Sequence, residues 1–570
     1  MKMITRAAGN VTFTLPDSAS EPGDVSIPGK RRQRGGQTAT QSIDEEFATL
    51  LTALTEEREQ GREDPDYQLL DGFTVDLGEG TKKPVRRGLV AKPDEMEINV
   101  TLGPEEGAVL LIEQDGTYEW HFPEETTVQR GPKRRGRPGA VGQKAALFRV
   151  PIGDEVPIEV PIKAPFEQPP GTKRIHRGPI TNFVKGKIKG VILKFAAKKV
   201  VGALSKRLEK GVEPGPVIIT SHDDTSGWLH KEDYLTVDLP VTRPARILLL
   251  VHGTFSSTIG SYGALTEQPA GQRFLRAALD HYDAVLGYDH YTLAETPAQN
   301  AEALFEELRK LQGKSQGIEI DAISFSRGGL VYRYLTEQIV PLEKTQLAFR
   351  KALFVACTNA GTELANDENW KYLVDFYTNM AAGASRLLGK LPNAKLPMLI
   401  FRQTVQTIGS LVQYMAQDAV EDNAVPGISA MEPAGRFVMA INAMPATRTR
   451  PGARFYYAIG SNFEPDRNTY HGELGKRLAM KLADGFVDRL MGEANDLVVD
   501  TDSMFVVDPV PSAQLLEKLP FGKNGEVYHT VYFSQPQVAR QCACWLGLLQ
   551  ASRAAGANAP RSWWKEAVSD

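Results

Sequence analysis

Five short apolar runs constrain this chain more than any other feature: RILLLVHG at 246–253, YDAVLGYDH at 282–290, IEIDAISFS at 318–326, KALFVACTN at 351–359 and RFYYAIGSN at 454–462. Each is too short for a buried helix and lacks the polar alternation of a half-exposed strand. They read as strands covered on both faces. Helix-like segments separate them, and that alternation builds a mostly parallel sheet with helices on its faces. The expected class over residues 215–555 is α/β.

The preceding half reads differently. Residues 1–42 are rich in Gly, Ser, Pro, Thr and Arg without an apolar period, which predicts a disordered arm. IDEEFATLLTALTEEREQGR at 43–62 has helical spacing, and YQLLDGFTVDL, EMEINVTL and AVLLIEQDGTYEWHF have the alternation of strands. A small helix-plus-β-rich module over 43–163 is expected. Within it QRGPKRRGRPG reads as a solvated basic loop rather than a nucleic-acid contact. A linker and basic helix follow over 164–214: in 180–210, Val184, Ile188, Val191, Ile192 and Phe195 share a helical face. That face either docks on a neighbouring domain or lies on anionic lipid. Residues 556–570 read as a tail.

A formal charge of −4 on 570 residues supplies no general attraction to nucleic acid or to an anionic membrane. Three cysteines, Cys357, Cys542 and Cys544, lack zinc-ligand spacing and fit a reducing cytoplasm, with peripheral membrane attachment kept open by the 180–210 segment. The opening MKMITRAAGNVTF has no apolar h-region, so no classical secretion signal is expected, and no run approaches a membrane span.

Ser326 ends one apolar run and begins RGGLVYRYLTEQIV, a helical pattern. Strand, turn and helix around a serine is the setting of a nucleophile elbow, where positions two before and two after must be small. Gly328 meets the second requirement and Ser324 stands where glycine is usual at the first. The competing reading is a serine that merely caps the helix. Upstream, ILLLVHGTFSS ends a strand at His252-Gly253-Thr254, where a second amide for an oxyanion hole would lie; the candidates are the backbone N–H groups of Thr254 and Arg327. His252 itself reads as structural. Downstream histidines are His471, in the polar stretch DRNTYHGELGKR, and His529, beside an apolar run; His529 is the better base. GEANDLVVDTDSM offers Asp496, Asp500 and Asp502 as the acid, with Asp496 first and Asp500 next.

LLLVHGTFSS, SFSRGGLVYRYL, CTNAGTELA, VPGISAMEP and ANDLVVDTDSM followed by His529 resemble the lipase-like α/β-hydrolases. The set is similar to the branch that includes GPI inositol deacylases and bacterial esterases and lipases, and to bacterial hydrolase domains that accompany CHAT proteins. Ser326, Gly328, Gly329, Leu330, Val331 and Arg333 match that family's motif, whereas Ser324 and Phe325 depart from it. The resemblance implies an α/β-hydrolase fold with a helical cap or lid insertion, here 365–450, over the serine. It also implies that Asn359–Thr362 shapes the pocket. The expected activity is hydrolysis of a carboxylic ester, of a lipid or another hydrophobic acyl group, through an acyl-enzyme and without metal or organic cofactor. An amidase or peptidase with the same triad, and a hydrolase-like interaction module whose N-terminal part binds a protein, are the alternatives.

Overall fold

The apolar runs singled out between 246 and 462 are gathered in one sheet. In the computed structural model, the described residues are 1–26, 41–42, 44–55, 67–78, 94–129, 143–152, 184, 186–197, 209, 212–230, 234, 236–388, 395–417, 425–443, 453–464, 494–507 and 515–549. His471, the 556–570 tail and all but the first residue of the basic QRGPKRRGRPG loop lie outside them. Two compact units emerge: residues 1–209 with 367–424, and residues 210–366 with 425–570.

Nineteen strands are described, β1 (Lys2–Arg6), β2 (Val11–Leu15), β3 (Gly23–Ser26), β4 (Gln41–Ser42), β5 (Gln68–Asp76), β6 (Asp94–Leu102), β7 (Glu106–Gln114), β8 (Thr117–His121), β9 (Glu125–Gln129), β10 (Gln143–Ile152) and β11 (Lys187–Ala196) in the first unit. The second unit holds β12 (Gly215–Ile219), β13 (Trp228–His230), β14 (Ala245–Val251), β15 (Ala284–Asp289), β16 (Ile318–Phe325), β17 (Leu347–Val355), β18 (Ala453–Phe463) and β19 (Leu515–Asn524).

The second unit's sheet runs β13-β12-β15-β14-β16-β17-β18-β19. From β15 to β19 every pairing is parallel, and only β12 runs against the rest, antiparallel to both β15 and β13. All five apolar runs became strands of this sheet, as the α/β expectation required. Chain direction matters most at β14. The chain leaves β14 for β15 on one side and then returns to β16 on the other, so β14 marks the topological switch point, outside whose carboxyl end α/β sheets place their sites.

In the first unit, two sheets, β1-β2-β6-β10-β9 and β4-β3-β5-β11-β7-β8, antiparallel except for the short β3–β4 pair, share one apolar core that includes Phe13, Phe73, Ile98, Leu110, Phe148 and Ile192. Two expectations are corrected. Residues 1–26 are not a disordered arm: β1 and β2 form a hairpin whose Val11, Phe13 and Leu15 are fully buried against β6. VTFTL alternates strictly, and a five-residue strand borrows from its neighbour the burial that its polar surroundings could not supply. Arg6 fastens the hairpin, with Nε 2.9 Å from Asp71 and Nη2 2.7 Å from Asp24. The basic helix is also replaced: Lys187–Ala196 is β11, held between β5 and β7. Its β-branched residues fit a strand better than a helix. Gly190 gives room to the Phe73 ring, which a Cβ would approach to 2.3 Å. Lys189 and Lys194 pair with the carboxylates of Asp44, Glu113 and Glu106.

AVLLIEQDGTYEWHF, a single run in sequence, folds as the β7–β8 hairpin. Asp115 (φ +50°) and Gly116 (φ +78°) make the left-handed pair that an Asp-Gly turn supplies. β8 is the last strand of its sheet, and the helix Trp370–Leu388 terminates it. Asn379 accepts from Tyr118 N at 2.9 Å and donates to Tyr118 O at 2.8 Å, while Asp375 accepts from Trp120 N at 2.8 Å. These side chains replace a neighbouring strand and remove an aggregation-prone edge. The helical insertion expected over 365–450 is thus divided, with 367–424 in the first unit and 425–443 in the second. Among the described residues no helix is long and apolar enough to cross a membrane.

Because Asn379 is buried and its partners are backbone groups, Asn379→Leu should destabilise the protein by about 1–3 kcal/mol. Thermal denaturation checks this, and an unchanged midpoint would show that the edge is held by other contacts.

Candidate active site

The ends of the parallel strands place the predicted residues together. Ser326 follows β16 with φ +53°, a left-handed conformation that a non-glycine residue adopts only when its surroundings impose it. Here they do. Its N–H donates to Val355 O at 3.1 Å, and its carbonyl accepts from Gly329 N at 3.0 Å. A Cβ on Gly328 would sit 2.4 Å from Val251 O, and one on Gly253 would sit 2.7 Å from Ser326 Cβ. Strand, serine and the helix Gly328–Tyr334 meet so closely that only glycine fits at these two positions. Ser324 is fully buried at the first elbow position, and its Oγ has no hydrogen-bond partner among the described residues.

Ser326 Oγ is 2.9 Å from His529 Nε2, and His529 Nδ1 is 2.9 Å from Asp496 Oδ2. All three are buried, at 2%, 0% and 0% exposure. His529 follows β19, and its backbone N–H donates to Asp496 O at 2.9 Å. Asp496 lies in a tight turn after β18 in which Leu497 takes φ +83°. That turn points the amides of Val498 and Val499 at Asp496 Oδ1, at 3.2 and 2.9 Å, while Oδ2 accepts from His529 and from the Tyr532 hydroxyl at 3.1 Å. A buried carboxylate with four donors is a fixed one. Nothing in the sequence singled out Tyr532, although it lies three residues beyond His529, one turn along the chain.

Between the acid candidates the geometry is decisive: Asp496, not Asp500, bonds the imidazole. Asp500 caps the short helix Thr501–Phe505 without a side-chain cap bond. Asp502 is exposed in that helix. The turn 359–362 holds this region. Asn359 Nδ2 donates to Met504 O at 2.9 Å, Ser503 Oγ to Gly361 O at 2.7 Å, and the Thr362 hydroxyl to Val498 O.

Thr254 stands beyond β14 and Arg327 directly after Ser326, both buried. His252 does not join the serine. His290 N donates to its Nε2 at 3.1 Å, so Nδ1 carries the proton and donates to Gly253 O at 2.8 Å. Burial lowers the His252 pKa and keeps the ring in that neutral form. Phe325 lies 5.1 Å from the His529 ring, and Phe533 closes on Phe325 edge-on at 5.6 Å. The imidazole therefore has an apolar wall on one side.

A nucleophile candidate on a strained turn, a carboxylate and an imidazole, following β16, β18 and β19 of this parallel sheet, define the α/β-hydrolase fold class. The model of the domain of unknown function DUF7379 matches residues 214–547, more than half of the chain, and the chain belongs to that family. A second domain of unknown function, DUF7362, matches residues 20–195. No curated protein matches. Among solved structures the chain is similar to the mature Bacillus licheniformis lipase BlEst2 (14% identity, 55% of this chain and 96% of that one, TM-score 0.31). It is similar to lipase 1 from Pelosinus fermentans (11%, 54% and 99%, TM-score 0.34). Phospholipase PlaB from Legionella pneumophila is another (15%, 45% of each chain, TM-score 0.26). At these values the fold assignment rests on strand order, not on the likenesses.

Burial first, and then the Glu363 carboxylate, push Asp500 up to about 6. Its folded pKa exceeds the ordinary value near 4, so ionising it costs stability as pH rises between those limits. Asp500→Asn should therefore match wild type in melting temperature near pH 4 and exceed it above pH 6.5. Melting curves across that range check this, and a mutant less stable at high pH would contradict it.

Proposed function

We propose that the protein is a serine hydrolase that cleaves carboxylic esters with a hydrophobic acyl group, using Ser326 as nucleophile, His529 as base and Asp496 as acid. The observation that carries the reading is the continuous pair of 2.9 Å contacts from Ser326 Oγ through the imidazole to Asp496. A serine hydroxyl is a weak nucleophile until a base takes its proton. His529 Nε2 is placed to accept it as Oγ attacks the ester carbonyl, and Asp496, acceptor of the Nδ1 proton, stabilises the imidazolium that forms. The carbonyl oxygen becomes an oxyanion, for which the N–H groups of Thr254 and Arg327 are the proposed donors. Collapse expels the alcohol, which takes the proton from His529. Water then repeats the sequence on the acyl-enzyme and releases the acid.

Support for a hydrophobic acyl group comes from the apolar residues around the proposed catalytic groups. Phe325 precedes Ser326 and packs on Phe533, Leu497 follows Asp496, Met431 meets the Thr254 hydroxyl, and all four are buried; apolar surroundings of this kind favour an apolar chain over a charged one. The intact Ser, His and Asp arrangement weighs against a hydrolase-like fold kept only for interaction.

A fluorophosphonate probe should label the wild type and not Ser326→Ala, whose melting temperature should stay nearly unchanged because alanine accepts the same backbone turn no worse than serine. Asp496→Asn should lower kcat on the order of 10⁴-fold through the wrong imidazole tautomer. Asp500→Asn should lose far less. Ester assays on the three variants check this, and labelling of Ser326→Ala equal to wild type would sink the assignment.

A further inference from the structure

Arg327 has so far been given a backbone role, yet its side chain is among the largest that are fully buried. A guanidinium keeps its proton in a protein interior, and an interior charge persists only with fixed partners. Where its N–H groups point is therefore informative. Nε donates to Gly427 O at 3.1 Å, and Nη2 donates to Glu295 O. The two carbonyls belong to segments already joined: Gly427 N donates to Leu293 O at 3.0 Å. They approach so closely that a Cβ on Gly427 would lie 2.0 Å from Thr292 O. Arg327 thus closes a junction of three parts, the elbow, the loop 292–295 and the strap 425–431.

Both arms of the junction end at the proposed oxyanion hole. In the loop, Thr292 Oγ1 accepts from Phe255 N at 3.2 Å, and Phe255 has φ +53°. On the other side of Thr254, Gly253 O is held by His252. Thr254 is fixed between these two bonds. From the strap, Met431 Sδ accepts from the Thr254 hydroxyl at 3.8 Å, and Met431 O accepts from Thr362 N at 2.8 Å. Thr362 in turn bonds Val498 O, and Val498 N donates to Asp496 Oδ1. One side chain therefore links the nucleophile's own turn to the second donor loop and, through the strap, to the acid.

We propose that the Arg327 side chain is a positioning residue, tying loop 292–295 and strap 425–431 to the elbow so that the Thr254 and Arg327 amides stand at the spacing an oxyanion requires. This rests on the ester-hydrolase reading above and adds an element to it. Lysine cannot substitute: an ammonium is a compact charge, whereas the planar fork reaches two carbonyls of separate segments at once.

The test uses the purified full chain with p-nitrophenyl butyrate as substrate and a fluorophosphonate as covalent probe. Arg327→Met should lower kcat about 100-fold, the scale of one lost oxyanion donor, with KM changed less than about threefold and phosphonylation slowed in parallel. Arg327→Lys should recover less than about a tenth of the lost rate, since it restores the charge without the fork. Thr292→Val removes the acceptor of the Phe255 amide with little change of shape and should lower kcat more than about fivefold at constant KM. If Arg327→Met does not fold, Thr292→Val decides, and wild-type kcat there overturns the proposal. A folded Arg327→Met within about threefold of wild type in kcat, or full rescue by lysine, also overturns it. Absence of phosphonylation in wild type overturns the ester-hydrolase reading and the proposal with it; labelled wild type beside an unaffected Arg327→Met overturns the proposal alone.

Discussion

The left-handed backbone at Ser326 is the constraint on which the site depends. A non-glycine residue at φ +53° costs about 1–3 kcal/mol, and it persists only if the surroundings over-determine it. Gly253 and Gly328 let two strand ends and a helix close around the serine, and Val355 O fixes its amide. Phe255, Ala356 and Leu497 show the same strain after β14, after β17 and in the acid turn. Four of the seven left-handed non-glycine residues described thus fall in the loops that carry the site, which is where stored strain belongs if it serves a reaction.

Sheet topology explains why those residues meet although 203 positions separate Ser326 from His529. Parallel strands put all their carboxyl ends on one edge, so each strand delivers one functional loop there. β14 brings Thr254, β16 brings Ser326 and Arg327, and β17 brings the turn 359–362. After β18 comes Asp496 and after β19 comes His529. The buried pair of Arg333 and Glu337, joined at 3.0 Å, anchors the elbow helix, since Arg333 also donates to Asn359 O at 3.1 Å. Removing one partner of such a pair strands a charge, so the helix has little freedom to drift from the turn.

Much of this was legible in sequence because uniform apolar runs report two-sided burial. The elbow could be read from strand, serine and helix in order, and His529 from its place beside the last apolar run. Other features were not legible. Three aspartates within seven residues, at 496, 500 and 502, look alike until Leu497 turns the chain and aims two amides at one of them. The lysines of β11 mimic a basic helix face, yet in the sheet Lys189 and Lys194 are neutralised by carboxylates distant in sequence. VTFTL gains its stability from β6, which begins more than 80 residues later, so local composition could not announce it. The helical character of 370–388 was visible, but not that Asn379 and Asp375 would end a sheet edge. Arg327 was noted for its amide alone, because no pattern shows that two distant carbonyls converge on its side chain.

The central claim is that Ser326 carries the acyl group during turnover. Rapid acid quench of the wild type with p-nitrophenyl butyrate, followed by peptide mass spectrometry, tests it directly. The account predicts a butyryl adduct on the peptide containing Ser326 and none on that peptide from Ser326→Ala. Turnover with the adduct on another residue, or undiminished turnover by Ser326→Ala, would contradict it.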